Sequence, residues 1–147
     1  MPSEFRYSRR VQFAETDLAG IVHFSTLFRY IEEAEHALWR SCGLSIAERG
    51  SALGWPRLNA ALEFRNPLRF EEEFEVLVRI AALKRRTIDY EFVLRRGETL
   101  IALGTMSAVC VRKSPDGTMK AAEIPSEIGD KLREFVATEA TQEKHGS

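Results

Sequence analysis

A change of period near residue 25 constrains this chain more than any other feature. Phe5, Tyr7, Arg9, Val11 and Phe13 alternate with a period of two, which reads as a strand. From Leu27 the period lengthens, and Leu27, Ile31, Ala34 and Leu38 recur at helical spacing. The period then returns to two in four runs: Leu58–Phe64, Phe74–Ile80, Ile88–Leu94 and a long run from Leu100 to Val111. A strand, one helix and four strands with short connections favour antiparallel pairing, with the helix packed on one face of a curved sheet. The expected class is therefore α+β.

The helix is expected to run for roughly 16 residues, with Ser25 or Thr26 as N-cap and Gly43 as its stop. Arg29, Glu32, Glu33, His36 and Arg40 make its polar face, while Phe28, Tyr30, Ala37 and Trp39 widen the apolar stripe. A helix this apolar should be covered on more than one side. Leu44–Arg49 reads as weakly helical, Gly50–Pro56 as a loop, and residues 125–136 as a short closing helix that begins at Pro125-Ser126. Asn66-Pro67, Lys84-Arg85-Arg86, Arg96-Gly97 and Ser114-Pro115-Asp116-Gly117 separate the strands. Residues 1–137 are expected to form one domain, followed by a flexible tail over 138–147. One helix leaves much of a five- or six-stranded sheet uncovered, which favours a homo-oligomer.

Composition removes several function classes. The 21 Lys and Arg residues offset 22 Asp and Glu residues, a net charge of −1, which argues against holding nucleic acid by bulk charge. The apolar runs are too short to span a bilayer, and MPSEFRYSRR lacks the apolar segment of a secretory leader. The expectation is a soluble cytoplasmic protein without membrane or nucleic-acid partners. Cys42 and Cys110 are far apart, and His23, His36 and His145 lack metal-ligand spacing, so no metal or other cofactor is expected. The sequence contains no P-loop, GxGxxG or GxSxG; Gly43-Leu44-Ser45-Ile46-Ala47 lacks the second glycine of the last.

The remaining candidate is VQFAETDLAGIVHFSTLFRYIEEAE. Asp17 stands at a strand exit, before a turn that Gly20 makes possible, and the turn feeds a helix N-terminus. Free N–H groups and the helix dipole at such a terminus stabilise a developing oxyanion, and a nearby carboxylate can attack a carbonyl or activate water. Spacing alone equally allows Asp17 to be a turn cap. Glu35 is a rival carboxylate, since it falls inside the apolar stripe between Ile31 and Phe28; pairing with an arginine is its other outcome.

The run ETDLAGIVHFSTLFRYIEEAE resembles the signature of the 4-hydroxybenzoyl-CoA thioesterase and acyl-CoA thioester hydrolase branch of the hotdog-fold superfamily. The likeness continues through Leu62-Glu63-Phe64-Arg65-Asn66-Pro67-Leu68-Arg69-Phe70 and spans about residues 7 to 128. It implies an antiparallel sheet wrapped around one long central helix, and hydrolysis of an acyl-CoA to acid and CoA. Acyl-carrier protein as the acyl carrier, and a non-catalytic acyl-CoA-binding module, are the alternatives. By this resemblance Asp17 is the catalytic aspartate, and the amides near Phe24 and Ser25 polarise the thioester carbonyl. Many bacterial members have Tyr-His where this chain has His23-Phe24, so His23 either orients water or the acyl group, or packs at the pocket mouth. Gly20, Ile21 and Val22 are assigned to substrate binding. Lys84, Arg85 and Arg86 form either a solvated turn or a clamp for the CoA phosphates, with Thr87 adding a hydroxyl. The resemblance also implies a homodimer or homotetramer, with active sites at the seam between copies.

Overall fold

The computed structural model describes residues 4–137; the expected tail, residues 138–147, lies outside the described residues. Five antiparallel strands form the main sheet: β1 (Phe5–Arg10), β3 (Arg57–Phe64), β4 (Glu73–Leu83), β5 (Thr87–Arg96) and β6 (Thr99–Val109), in the order β1-β4-β5-β6-β3. The two-residue β2 (Leu53–Gly54) joins β7 (Val111–Lys113) and β8 (Met119–Ala121) in a small second sheet. The helix α1 (Phe24–Ser41) lies on one face of the main sheet, and a short α2 (Ser126–Leu132) follows β8.

Alternation explains why the strands form here. Val76, Val78 and Ile80 of β4 and Ile88, Tyr90, Phe92 and Leu94 of β5 are buried towards the helix, where Leu27, Tyr30, Ile31, Ala34, Leu38 and Trp39 meet them. Both strands are pinned in register, because a one-residue slip would turn this apolar set out to solvent. Burying such side chains stabilises by about 1.5–3 kcal/mol each, more than helix propensity supplies. Gly43 (φ +76) follows the last turn of α1, donating to Arg40 O (2.9 Å) while Leu44 N–H bonds Trp39 O (3.0 Å). This is the left-handed stop that glycine makes easily.

Five local expectations are corrected. The first strand ends at Arg10 rather than Phe13, because Val11 turns to bond Glu72 and residues 13–15 form a 3-10 turn. The helix starts at Phe24 with His23 as N-cap, not Ser25 or Thr26. Leu44–Arg49 contains no helix; Ser45 Oγ accepts the Ala47 N–H (3.3 Å), a local bond that competes with helical pairing. The run to Val111 breaks at Cys110, whose N–H bonds Arg86 O (2.7 Å), and the chain then leaves one sheet for the other. The closing segment is helical only to Leu132, then 3-10 to Phe135. None of the described helices is long and apolar enough to cross a membrane.

Candidate active site

The loop between β1 and α1 is organised by its own backbone. Thr16 pairs with Val22, Asp17 N–H donates to Ile21 O (2.9 Å), and Gly20 N–H donates to Asp17 O (2.9 Å). Gly20 holds φ +81, a conformation that side-chain-bearing residues rarely adopt. Asp17 is half-buried, and its Oδ1 accepts the Ala19 N–H (2.8 Å). Its Oδ2 has no protein partner among the described residues. The two roles the spacing allowed are thus compatible: one oxygen closes the turn and the other is free to react.

The loop delivers the chain directly into α1. His23 is extended (φ −62, ψ 139), and its Nδ1 accepts the Ser25 N–H (3.3 Å) and lies 2.8 Å from Ser25 Oγ. Its ring lies 4.6 Å from that of Phe24. The imidazole is therefore a helix cap. The first-turn N–H groups of a helix have no acceptor one turn back, which leaves the Phe24 amide available at the positive end of the helix dipole. Val22 N–H bonds Leu68 O (2.8 Å), so the loop is also stitched to the segment before β4.

Asp17, Ile21, Val22, Phe24 and Leu27 form one wall of a groove of about 450 Å³, and residues 64–68 form the other. Phe24 and Phe64 meet edge to face (6.4 Å) while remaining 60% and 49% exposed. Fully exposed Leu18 and the edge-to-face pair Phe13–Phe70 lie along the same loop and its neighbouring segment. Two of the large exposed apolar side chains, Phe24 and Phe64, thus share a groove with one carboxylate, a composition suited to an apolar acyl group. Phe64, Asn66 and Leu68 were not singled out as site residues from sequence, although the Asn66-Pro67 break was the visible signal that the chain turns back here.

The other candidates lie elsewhere in the protomer. Glu35 is about 18 Å along α1 from His23, at 1.5 Å per residue. It is 0% exposed, and Arg57 binds both of its oxygens (3.0 and 2.5 Å). Lys84, Arg85 and Arg86 are exposed in the β4–β5 turn, where Lys84 pairs with Asp89 (3.1 Å) and Arg85 with Glu123. Thr87 opens β5 and its carbonyl accepts the Lys84 N–H (2.9 Å). That turn is at the far end of β4 from the Asp17 loop, roughly 30 Å away at 3.3 Å per residue. Within one chain the structure gathers Asp17, Ile21, Val22 and Phe24 but not the basic turn.

A sheet with one helix whose N-terminus and a carboxylate line a common apolar groove fits the class of thioester hydrolases. The sequence pattern of the thioesterase-like superfamily matches residues 11–132. A relative from Aquifex aeolicus named a putative esterase is 34% identical over 131 residues, covering 88% of this chain and 98% of its own. A 1,4-dihydroxy-2-naphthoyl-CoA hydrolase from Synechococcus elongatus is 22% identical, covering 89% and 96%. Among solved structures, a hypothetical protein from Aquifex aeolicus superposes with TM-score 0.81 at 35% identity, covering 87% of this chain and 98% of that one. A gentisyl-coenzyme A thioesterase superposes with TM-score 0.77 at 26% identity, covering 87% and 99%. The chain belongs to the thioesterase-like superfamily. It is an enzyme that hydrolyses thioesters.

Proposed function

We propose that this enzyme is an acyl-CoA thioesterase of the 4-hydroxybenzoyl-CoA type, hydrolysing an aromatic acyl-CoA to the free acid and CoA. The observation that carries the reading is the shared groove of Asp17 and Phe24, which puts a carboxylate beside a helix N-terminus on an apolar wall. Asp17 supplies the oxygen nucleophile, either its own carboxylate or a water whose proton it takes. The carbonyl oxygen gains negative charge and is met by the Phe24 amide at the start of α1, the Ser25 N–H being already held by His23 Nδ1. The C–S bond then breaks and the thiolate leaves as CoA; where water attacked, the acid is released directly, and where Asp17 attacked, water cleaves the mixed anhydride left on Asp17, releasing the acid and restoring the carboxylate. Ring-lined walls at Phe24 and Phe64 favour an aromatic acyl group, in keeping with the substrates named for the naphthoyl-CoA and gentisyl-CoA relatives.

A second copy completes the site in this reading. β3 is an edge strand, with Leu58 58% and Phe64 49% exposed, and no other strand among the described residues pairs with its outer edge. Two such edges pairing antiparallel about Ala60-Ala61 would set Arg57 of one copy opposite Phe64 of the other. The basic turn of one copy would then stand at the Asp17 end of its partner. About four strand spacings of ~4.8 Å separate them, a span suited to the pantetheine arm of CoA.

The test is Asp17→Asn, assayed on aromatic, short and long acyl-CoAs and on acyl-carrier-protein thioesters with a free-thiol readout. The amide is nearly isosteric and still closes the turn on Ala19. It can neither attack nor take a proton, so turnover should fall by about 10² to 10⁴ while the fold remains intact. Turnover within about threefold of wild type would overturn the assignment. A preference for the carrier-protein thioesters would overturn the CoA half of it.

A further inference from the structure

We propose that Glu15 is a positioning residue that fixes Asp17 against the start of α1, an inference that rests on the catalytic reading of Asp17. Glu15 Oε1 accepts three hydrogen bonds from three separate parts of the chain. They come from Arg9 Nη1 on β1 (2.6 Å), the Gln12 N–H of the 3-10 turn (2.8 Å) and the Tyr30 hydroxyl on α1 (2.7 Å). The main-chain carbonyl of the same residue accepts the N–H of His23, the cap of α1 (3.1 Å). Glu15 therefore closes the neck of the loop with its peptide and ties that neck to sheet and helix with its side chain. Asp17 and the Gly20 turn lie between Glu15 and His23, with a second anchor where Ile21 and Val22 meet Arg69 and Leu68.

The ties are electrostatically sound. Burial works against the charged carboxylate, but the bonds from Arg9, Gln12 and Tyr30 outweigh it and hold the Glu15 carboxyl below its usual range. The Arg9 guanidinium lies 4.7 Å from the Tyr30 ring centroid and also binds Glu33 (2.7 Å), which accepts the Tyr7 hydroxyl (3.0 Å). Glu33 thus shares the same arginine yet has no bond to the loop. It is a built-in control for a role in stability alone.

The experiment compares Glu15→Ala, Glu33→Ala and Tyr30→Phe, with melting temperature, kcat and KM measured for each; alanine removes the oxygen that accepts all three bonds, which glutamine would keep. Misplacing a reacting group by about 1 Å can cost about 10² in rate, so Glu15→Ala should lower kcat at least about tenfold with KM within about twofold. Glu33→Ala should lower the melting temperature comparably and leave kcat within about twofold. Tyr30→Phe keeps the ring under Arg9 and removes one tie, so a fall of about threefold in kcat is expected even if Glu15→Ala does not fold. On an Asp17→Asn background, Glu15→Ala should change residual turnover by less than about twofold, since its effect passes through Asp17. Equal kcat losses in the two Ala variants, a full Glu15→Ala penalty on the Asp17→Asn background, or wild-type kcat in Tyr30→Phe would overturn the proposal. Full activity of Glu15→Ala beside an inactive Asp17→Asn would overturn the positioning role alone. Full activity of Asp17→Asn would overturn the reading beneath it.

Discussion

Glu35 has both oxygens on Arg57 and no exposed surface, whereas Asp17 has one oxygen on Ala19 and the other without a partner among the described residues. The wheel position of Glu35 inside the apolar stripe was readable from sequence; its partner was not, because Arg57 is 22 residues away on a strand that approaches only in the fold. Burial, and then the negative charge of Glu35, push the Tyr90 hydroxyl well above its usual range; Trp39 Nε1 donates to that hydroxyl (2.9 Å). Breaking into such a buried set is costly. Glu35→Gln should lose about 2–3 kcal/mol of stability in urea denaturation while keeping kcat within about threefold. A folded Glu35→Gln enzyme with collapsed turnover would move the chemistry to the helix.

At the scale of elements, the central strands were legible because each sends every second side chain into the core under α1, and the recurrence of Val76, Val78 and Ile80 is a direct print of that. β2 and β8, two and three residues long, leave no periodic trace. The start of α1 was misjudged for a different reason. Ser25 and Thr26 are the residue types that cap helices, but the extended backbone of His23 brings an imidazole nitrogen to the Ser25 N–H and starts the helix earlier. His23→Ala should therefore cost about 1 kcal/mol of stability. His23→Asn, which can cap with its side-chain oxygen, should recover most of that stability and the turnover with it. Restored stability without restored turnover would show that the ring does chemistry as well.

For the whole molecule, the resemblance and the edge of β3 point the same way, since uncovered strands with exposed Leu58 and Phe64 are an association hazard unless a partner meets them. Sedimentation should show a dimer or larger assembly at micromolar concentration; a stable active monomer would contradict it. Replacing Lys84, Arg85 and Arg86 by Ala should raise KM for acyl-CoA with little change in kcat, because distant phosphates are held equally in ground and transition states. The effect should shrink as salt screens these exposed charges. An unchanged KM at low salt would move the clamp elsewhere, for instance to Arg112-Lys113. The length of β4, which keeps the Asp17 loop and the basic turn at opposite ends of each chain, then has a genetic consequence. Two defective alleles, one carrying Asp17→Asn and the other the triple alanine change, should complement when co-expressed. Each mixed pair would unite one intact carboxylate with the other chain's intact turn, and one working site in two would return.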